Sequence, residues 1–187
     1  LGVVGKFSVR NPNHELQIKE ILDKDFKQIF LGHHVSGNLS FPRRITTTYI
    51  NAGVFALHKN FFEAINKALR EMGLSIPLRI LKADGGTMTL EASMSFPGQT
   101  VLSGPAASIM GAIPYAPEKQ DAIVLDIGGT TTDIALFVDK APLLEPVGIQ
   151  WGDYKSLIRS LWTASQGIGG DSLVRVQDGK LSIGPDR

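Results

Sequence analysis

No cysteine occurs anywhere in the 187 residues. Disulfides, thiolate metal sites and a cysteine nucleophile are therefore excluded, and a reducing, cytoplasmic location is the expected one. An excess of one charge is lacking too, since 19 basic and 18 acidic residues leave a formal net charge of +1. That balance gives no electrostatic reason to expect nucleic acid or an anionic membrane as a partner. No apolar run approaches the ~18 residues needed to cross a bilayer. The chain has no G-x-x-x-x-G-K-[ST] phosphate loop, no internal repeat and no low-complexity segment. It also lacks an initiator methionine and a signal peptide at its LGVVGK start, and it stops on LSIGPDR after an expected hairpin. A piece of a longer protein is the expectation.

What is present reads as alternating helices and strands, which predicts an α/β layered fold. Val3–Val9 suggests a strand remnant, and "NPNHELQIKEILDK" a helix capped by Asn13. Gln28–Gly37 suggests a short strand. Phe41–Met72 is mostly helical with an interruption near Leu57–Asn60. Its second half carries Phe61, Phe62, Ile65, Ala68, Leu69 and Met72 on one face, with Gly73 as the stop. "PLRILKADGG" reads as a buried parallel strand, "SGPAASIMGAI" as a short helix, and Ala122–Ile127 and Asp133–Val138 as strands. Trp151–Ala164 is expected to be helical, with Trp151 and Trp162 as packing residues. Asp178-Gly179 is the pair that a two-residue primed hairpin turn requires. The domain expectation is one unit over 1–187, with a subdivision into 1–76 and 77–187.

The most informative stretch is "VLDIGGTTTDIALF", Val124–Phe137. Gly128 and Gly129 supply the φ > 0 expected of a tight turn and, lacking Cβ atoms, let an outside group approach the backbone amides. Successive amides pointing one way make an anion-attracting nest. Thr130, Thr131 and Thr132 add hydroxyl donors at the same point. Asp126 and Asp133 would repel a bare phosphate, so they make sense with a cation between. Mg²⁺ commonly links one or two carboxylates to nucleotide phosphates. The bland alternative is a Gly-Gly bulge followed by threonines in a strand.

A turn of this kind joining strand to strand resembles the second phosphate loop of the actin-like ATPase superfamily. "GIGGDS", with Gly169 and Gly170, looks like the glycine pair that approaches the nucleotide from the same lobe. The resemblance tightens over nearly the whole chain. "GKFSVRNPNHE", "RITTTYINA", "ADGGTM", "LSGPAASIMGA", "DIGGTTTDIAL" and "GIGGDSL", in this order, are similar to the central region of the hydantoinase A/oxoprolinase family. The implied fold is an actin-like (ribonuclease H-like) ATPase lobe with a mixed sheet and flanking helices. Asp171 departs from the family, which more often shows another glycine there.

The resemblance implies ATP-driven opening of a small cyclic amide of the hydantoin or oxoproline type; related members are ketone carboxylase subunits. ATP and Mg²⁺ are the implied cofactors. Gly128–Thr132 would hold the phosphates, Gly169-Gly170 would lie against the nucleotide, and Asp126 or Asp133 would order the metal or orient the attacking oxygen. Implied partners are the missing N- and C-terminal parts of the same chain, including an upstream Asp-Gly-Gly-Thr turn, and a hydantoinase B-type subunit or domain. A non-catalytic regulatory module of the same fold is the alternative from a different class. Asp84, Gly85 and Gly86, at the expected end of a parallel strand, read equally as a substrate contact or a tight turn. His14, His33 and His34 lack convergent ligand spacing, adjacent histidines on a strand pointing opposite ways. "RRITTT", Arg43–Thr48, puts basic and hydroxyl groups near an expected lobe interface, and a solvated helix face explains the arginines equally well. No Ser-His-Asp arrangement is visible.

Overall fold

The computed structural model describes residues 1–184 and 186, with Trp151 described in its backbone alone. The packing role expected of the Trp151 side chain, and Pro185, lie outside the described residues. In chain order the elements are β1 (Gly2–Val3), α1 (Asn13–Leu22), β2 (Phe30–Leu31), α2 (Gly32–Val35), α3 (Phe41–Glu71), β3 (Arg79–Leu81), β4 (Thr87–Thr89) and α4 (Leu90–Ser95). There follow α5 (Ser103–Ala112), β5 (Ala122–Ile127), β6 (Thr132–Val138), β7 (Ala141–Pro142), β8 (Gln150–Trp151), β9 (Tyr154–Lys155), β10 (Ala164–Gln166), β11 (Val174–Gln177) and β12 (Lys180–Ile183). The chain divides into two compact units, Leu1–Ser103 with Pro146–Ser160, and Gly104–Glu145 with Leu161–Arg187.

The first unit is organised around α3, which runs unbroken for 31 residues. The interruption expected near Leu57–Asn60 does not occur, because no proline or glycine falls there and each N–H keeps its helical partner. Gly73, with φ +71°, ends the helix as expected. A small core joins Ile50, Ala83, Ile149 and Ile158. β1 pairs parallel with β2, and only Gly2–Val3 of the expected Val3–Val9 strand is extended. The strand expected over Gln28–Gly37 shrinks to Phe30–Leu31, and the histidine pair lies in the short helix α2 instead. Asn13 is already helical rather than capping; its N–H is taken by the Asn11 side chain at 3.1 Å.

Of the two readings of Arg43 and Arg44, the solvated face does not hold. Arg44 is fully buried and donates to the carbonyls of Asn38 (2.7 Å), Gly5 (2.9 Å) and Lys6 (2.9 Å). Arg43 donates to the carbonyls of Ser156, at 2.9 Å from Nε, and Val147. Backbone oxygens of irregular segments have no ladder partner, and these guanidiniums donate to them. On the other side of the Gly5 peptide, its N–H donates to the buried Glu15 at 2.7 Å. Glu15 also accepts from the His33 amide (3.0 Å) and contacts the His33 ring nitrogen (2.6 Å).

The helix expected over Trp151–Ala164 is absent. Gly152, with φ +56°, turns β8 back onto β9, and Ser156, Ile158 and Ser160 are buried at period two, the signature of extended chain. β3 is likewise not parallel to a neighbour. It pairs antiparallel with β4, so Asp84-Gly85-Gly86 forms a hairpin turn.

The second unit holds a four-stranded sheet in which β6 is flanked by β10 and β5, with β7 also on β6, all antiparallel. Ala135 and Phe137 are buried on one face. On the opposite face Ile123, Leu125 and Ile127 stay exposed. The β11–β12 hairpin turns at Asp178-Gly179 with φ of +51° and +72°, the primed geometry its sequence predicts.

Candidate functional site

Asp126, Gly128–Thr132, Asp133, Gly169 and Gly170 converge on one end of the β5–β6 hairpin. Asp126 and Asp133 are directly opposed in the antiparallel register, and so are Ile127 and Thr132. Period-two alternation puts both carboxylates on the same face as Ala135 and Phe137, beyond the buried part. Like charges so placed repel, so the pair favours an intervening cation. Among the described residues no group of three His, Asp or Glu forms a self-sufficient metal cage. A magnesium held by one or two carboxylates and by ligand oxygens needs none.

Between the strands, Gly128 to Thr131 are exposed. The Gly128 N–H closes the turn onto the Thr131 carbonyl at 2.9 Å. Among the described residues, no hydrogen bond engages the amides of Gly129, Thr130 and Thr131 or the hydroxyls of Thr130 and Thr131. These are the donors that an incoming anion would use. Neither Gly128 nor Gly129 has the positive φ expected of them. The four-residue connection from 128 to 131 closes without a left-handed residue, so the glycines are needed for close approach.

That approach comes from the second glycine motif. The Gly170 amide donates to the Gly128 carbonyl (2.9 Å) and the Asp171 amide to the Gly129 carbonyl (2.8 Å). A Cβ on Gly169 would meet the Gly128 oxygen and the Gly129 carbonyl at 2.6 Å, and one on Gly129 would meet Asp171 Oδ2 at 2.6 Å. Thr132 does not offer its proton outward, for its hydroxyl donates to the Ile168 carbonyl at 2.7 Å. The Gly169 amide is held by the Ser172 hydroxyl at 2.9 Å. The two glycine motifs thus form one backbone-bonded corner.

Sequence reading missed Ser108. From α5 its hydroxyl donates to Asp126 Oδ2 at 2.5 Å. No hydrogen bond or ion pair involves the Asp133 side chain among the described residues. The two carboxylates are therefore inequivalent, one oriented by a serine and one free. The only sequence hint was a hydroxyl among the small residues of "SGPAASIMGA".

Asp84–Gly86 lie in the first unit. Asp84 accepts from the Gly86 amide at 3.0 Å and from Lys82 Nζ at 3.1 Å. His34 stacks on Phe96, ring centroids 5.2 Å apart. His58 is buried against the Ser93 hydroxyl at 2.8 Å, and burial pushes its pKa down. Burial would raise the Glu15 carboxyl, but hydrogen bonds led by that from the Gly5 amide outweigh it and hold the group below its ordinary value.

The model of the Hydantoinase/oxoprolinase family matches residues 44–187. The chain is 26% identical over 193 residues to caprolactamase subunit alpha of Pseudomonas jessenii, covering 96% of this chain and 26% of that one. It is 26% identical over 196 residues to the acetophenone carboxylase gamma subunit of Aromatoleum aromaticum, with the same coverages of 96% and 26%. Among solved structures, nucleotide-free acetone carboxylase matches with a TM-score of 0.76 at 21% identity, over 99% of this chain and 27% of that one. ATP-dependent caprolactamase from Pseudomonas jessenii matches with 0.69 at 26% identity, over 96% and 27%. The chain spans about a quarter of the length of these relatives. The shared architecture is the α/β lobe of actin-like ATPase type expected from the sequence. With its motifs in the expected order and a family match covering most of its length, this chain belongs to the hydantoinase/oxoprolinase family.

Proposed function

We propose that this chain supplies the second phosphate-binding loop of an ATP-dependent enzyme that opens small cyclic amides of the hydantoin or oxoproline type. The observation that carries the reading is the exposed turn whose Gly129, Thr130 and Thr131 donors are uncommitted, flanked by opposed carboxylates. The donor set fits a nucleotide phosphate, and the carboxylate pair fits its magnesium. Bound there, Mg-ATP supplies the phosphoryl group that activates an otherwise inert amide carbonyl.

The chain's own residues bind and orient. Gly129, Thr130 and Thr131 donate to phosphate oxygens, while Gly128 closes the turn. Asp133 would hold the metal, directly or through water. Asp126, fixed by Ser108, would help hold the metal or orient the attacking oxygen. Gly169 and Gly170 brace the turn and lie against the nucleotide, and Thr132 anchors that brace through Ile168. Such positioning and charge neutralisation are most of what phosphoryl transfer requires. A hydantoinase B-type subunit or domain and the remaining parts of a longer chain complete the enzyme.

A second reading, a subunit of an ATP-dependent ketone carboxylase, is favoured by the likeness to the acetophenone carboxylase subunit, as high in identity as that to the caprolactamase subunit. The two separate in one assay on the full-length polypeptide with its partner subunit. Phosphate release from ATP that hydantoin or 5-oxoproline stimulates supports the amide hydrolase, and release that requires a ketone and bicarbonate supports the carboxylase. Absence of nucleotide turnover under both conditions leaves a non-catalytic module. In either enzyme, Asp133→Asn is expected to lower turnover by roughly 100-fold or more.

A further inference from the structure

We propose that a cavity of about 210 Å³ in the first unit binds a small organic monocarboxylate. The walls that matter are Lys82, Asp84, Gln99 and Arg159 on the polar side and Phe96 and Ile158 on the apolar side. The site is distinct from the phosphate turn, and the inference stands whether or not that turn holds nucleotide.

Charge decides the class of ligand. Asp84 is already satisfied, with Oδ1 accepting from the Gly86 amide at 3.0 Å and Oδ2 facing Lys82 Nζ at 3.1 Å. That pair cancels, leaving the Arg159 guanidinium as the uncompensated charge on the cavity. Among the described residues neither Arg159 nor the side-chain amide of Gln99 makes a hydrogen bond or ion pair. A guanidinium is matched by a carboxylate in a two-point contact. The Gln99 amide and the remaining Lys82 protons add donors for the same oxygens.

Rigidity and size narrow the class. Gln99 is fixed by its carbonyl, which accepts from the Ala83 amide at 2.8 Å, and the adjacent Gly98 amide is fixed to Asn51 Oδ1 at 2.9 Å. Phe96 is held by its stacking on His34. The hydrocarbon of the ligand packs on Phe96 and Ile158. The volume falls below the ~300–1,000 Å³ of drug-sized pockets, so the acid has a short chain or a single small ring.

The test is a titration of the ¹⁵N-labelled 187-residue chain, at constant ionic strength and without nucleotide or magnesium, with butyrate and with its uncharged isostere butyramide. Butyrate is expected to shift the amides of Lys82, Gln99 and Arg159 saturably, and butyramide to bind roughly tenfold more weakly or less. Arg159→Gln, at an exposed and unpartnered position, should keep the native spectrum and lose that preference. Gln99→Leu should weaken butyrate with a smaller effect. Equal binding of acid and amide, binding of neither at these residues, or a preference that survives Arg159→Gln would overturn the proposal. Since no nucleotide is present, either result leaves the phosphate-turn reading to be tested by itself.

Discussion

A methyl group on residue 169 has nowhere to go. It would press against the backbone of Gly128 and Gly129 at 2.6 Å, and backbone cannot swing aside as a side-chain tip does. Gly169→Ala is therefore expected to cost about 1–3 kcal/mol, measurable by denaturant unfolding followed through Trp162 fluorescence. Unchanged stability would show that the two glycine motifs are not in contact. Arg44 is a second residue with a definite role, because it donates to three carbonyls of irregular segments. Arg44→Met should cost about 1–3 kcal/mol, because it removes the hydrogen bonds of a fully buried charged group. Titration adds a further residue-level prediction. Glu15 is held below its ordinary pKa, so its stabilisation is complete above about pH 4.5 and is lost as the pH falls towards the lower folded value. His58 is also lowered, so below about pH 6.5 the unfolded chain takes up the proton first and stability again falls. Both act in the same direction. Melting temperature should drop from pH 7 downwards, and Glu15→Gln should flatten the lower part of that curve from a reduced maximum.

At the scale of elements, the second-unit sheet has two unlike faces. Phe137 is 1% exposed and Leu125 55%. Phe137→Ala should cost about 3–5 kcal/mol, and Leu125→Ser in this chain less than about 0.5 kcal/mol. Comparable losses at the two positions would contradict the assigned register. How far such elements could be read from sequence depended on whether their signal was local. The β5–β6 and β11–β12 hairpins were legible because alternating apolar residues and Asp-Gly or Gly-Gly turns act within a few residues. Trp151–Ala164 was misread because Ile158, Leu161 and Trp162 have spacing that also suits a helix. What decides the backbone there is distant: the Leu157 amide donates to Thr47 Oγ1 at 2.8 Å, across 110 residues of sequence. Of the readings of Arg44, the solvated face failed for the same reason, its carbonyl partners lying in two segments whose irregularity the sequence did not announce. At the candidate site the phosphate turn was visible in composition, whereas the Ser108 contact to Asp126 depends on tertiary placement.

For the whole molecule, the chain order matters. The first unit is left after Ser103 and re-entered over Pro146–Ser160, and the second is built from the segments before and after that return. Each unit therefore depends on residues far apart in sequence. The chain spans about a quarter of the relatives it matches, and in the proposed enzyme the phosphates would be held by a second turn from outside these residues as well. Nucleotide binding by these 187 residues is accordingly expected to be weak and turnover absent. The most direct test of the central claim is a ¹⁵N titration of this chain with ATP to millimolar concentration, with and without magnesium. The account predicts that the Gly129, Thr130 and Thr131 amides shift, that the shifts require magnesium, and that Asp133→Asn removes the requirement together with most of the binding. Stationary resonances at those three amides under Mg-ATP, or shifts of equal size without the metal, would contradict it.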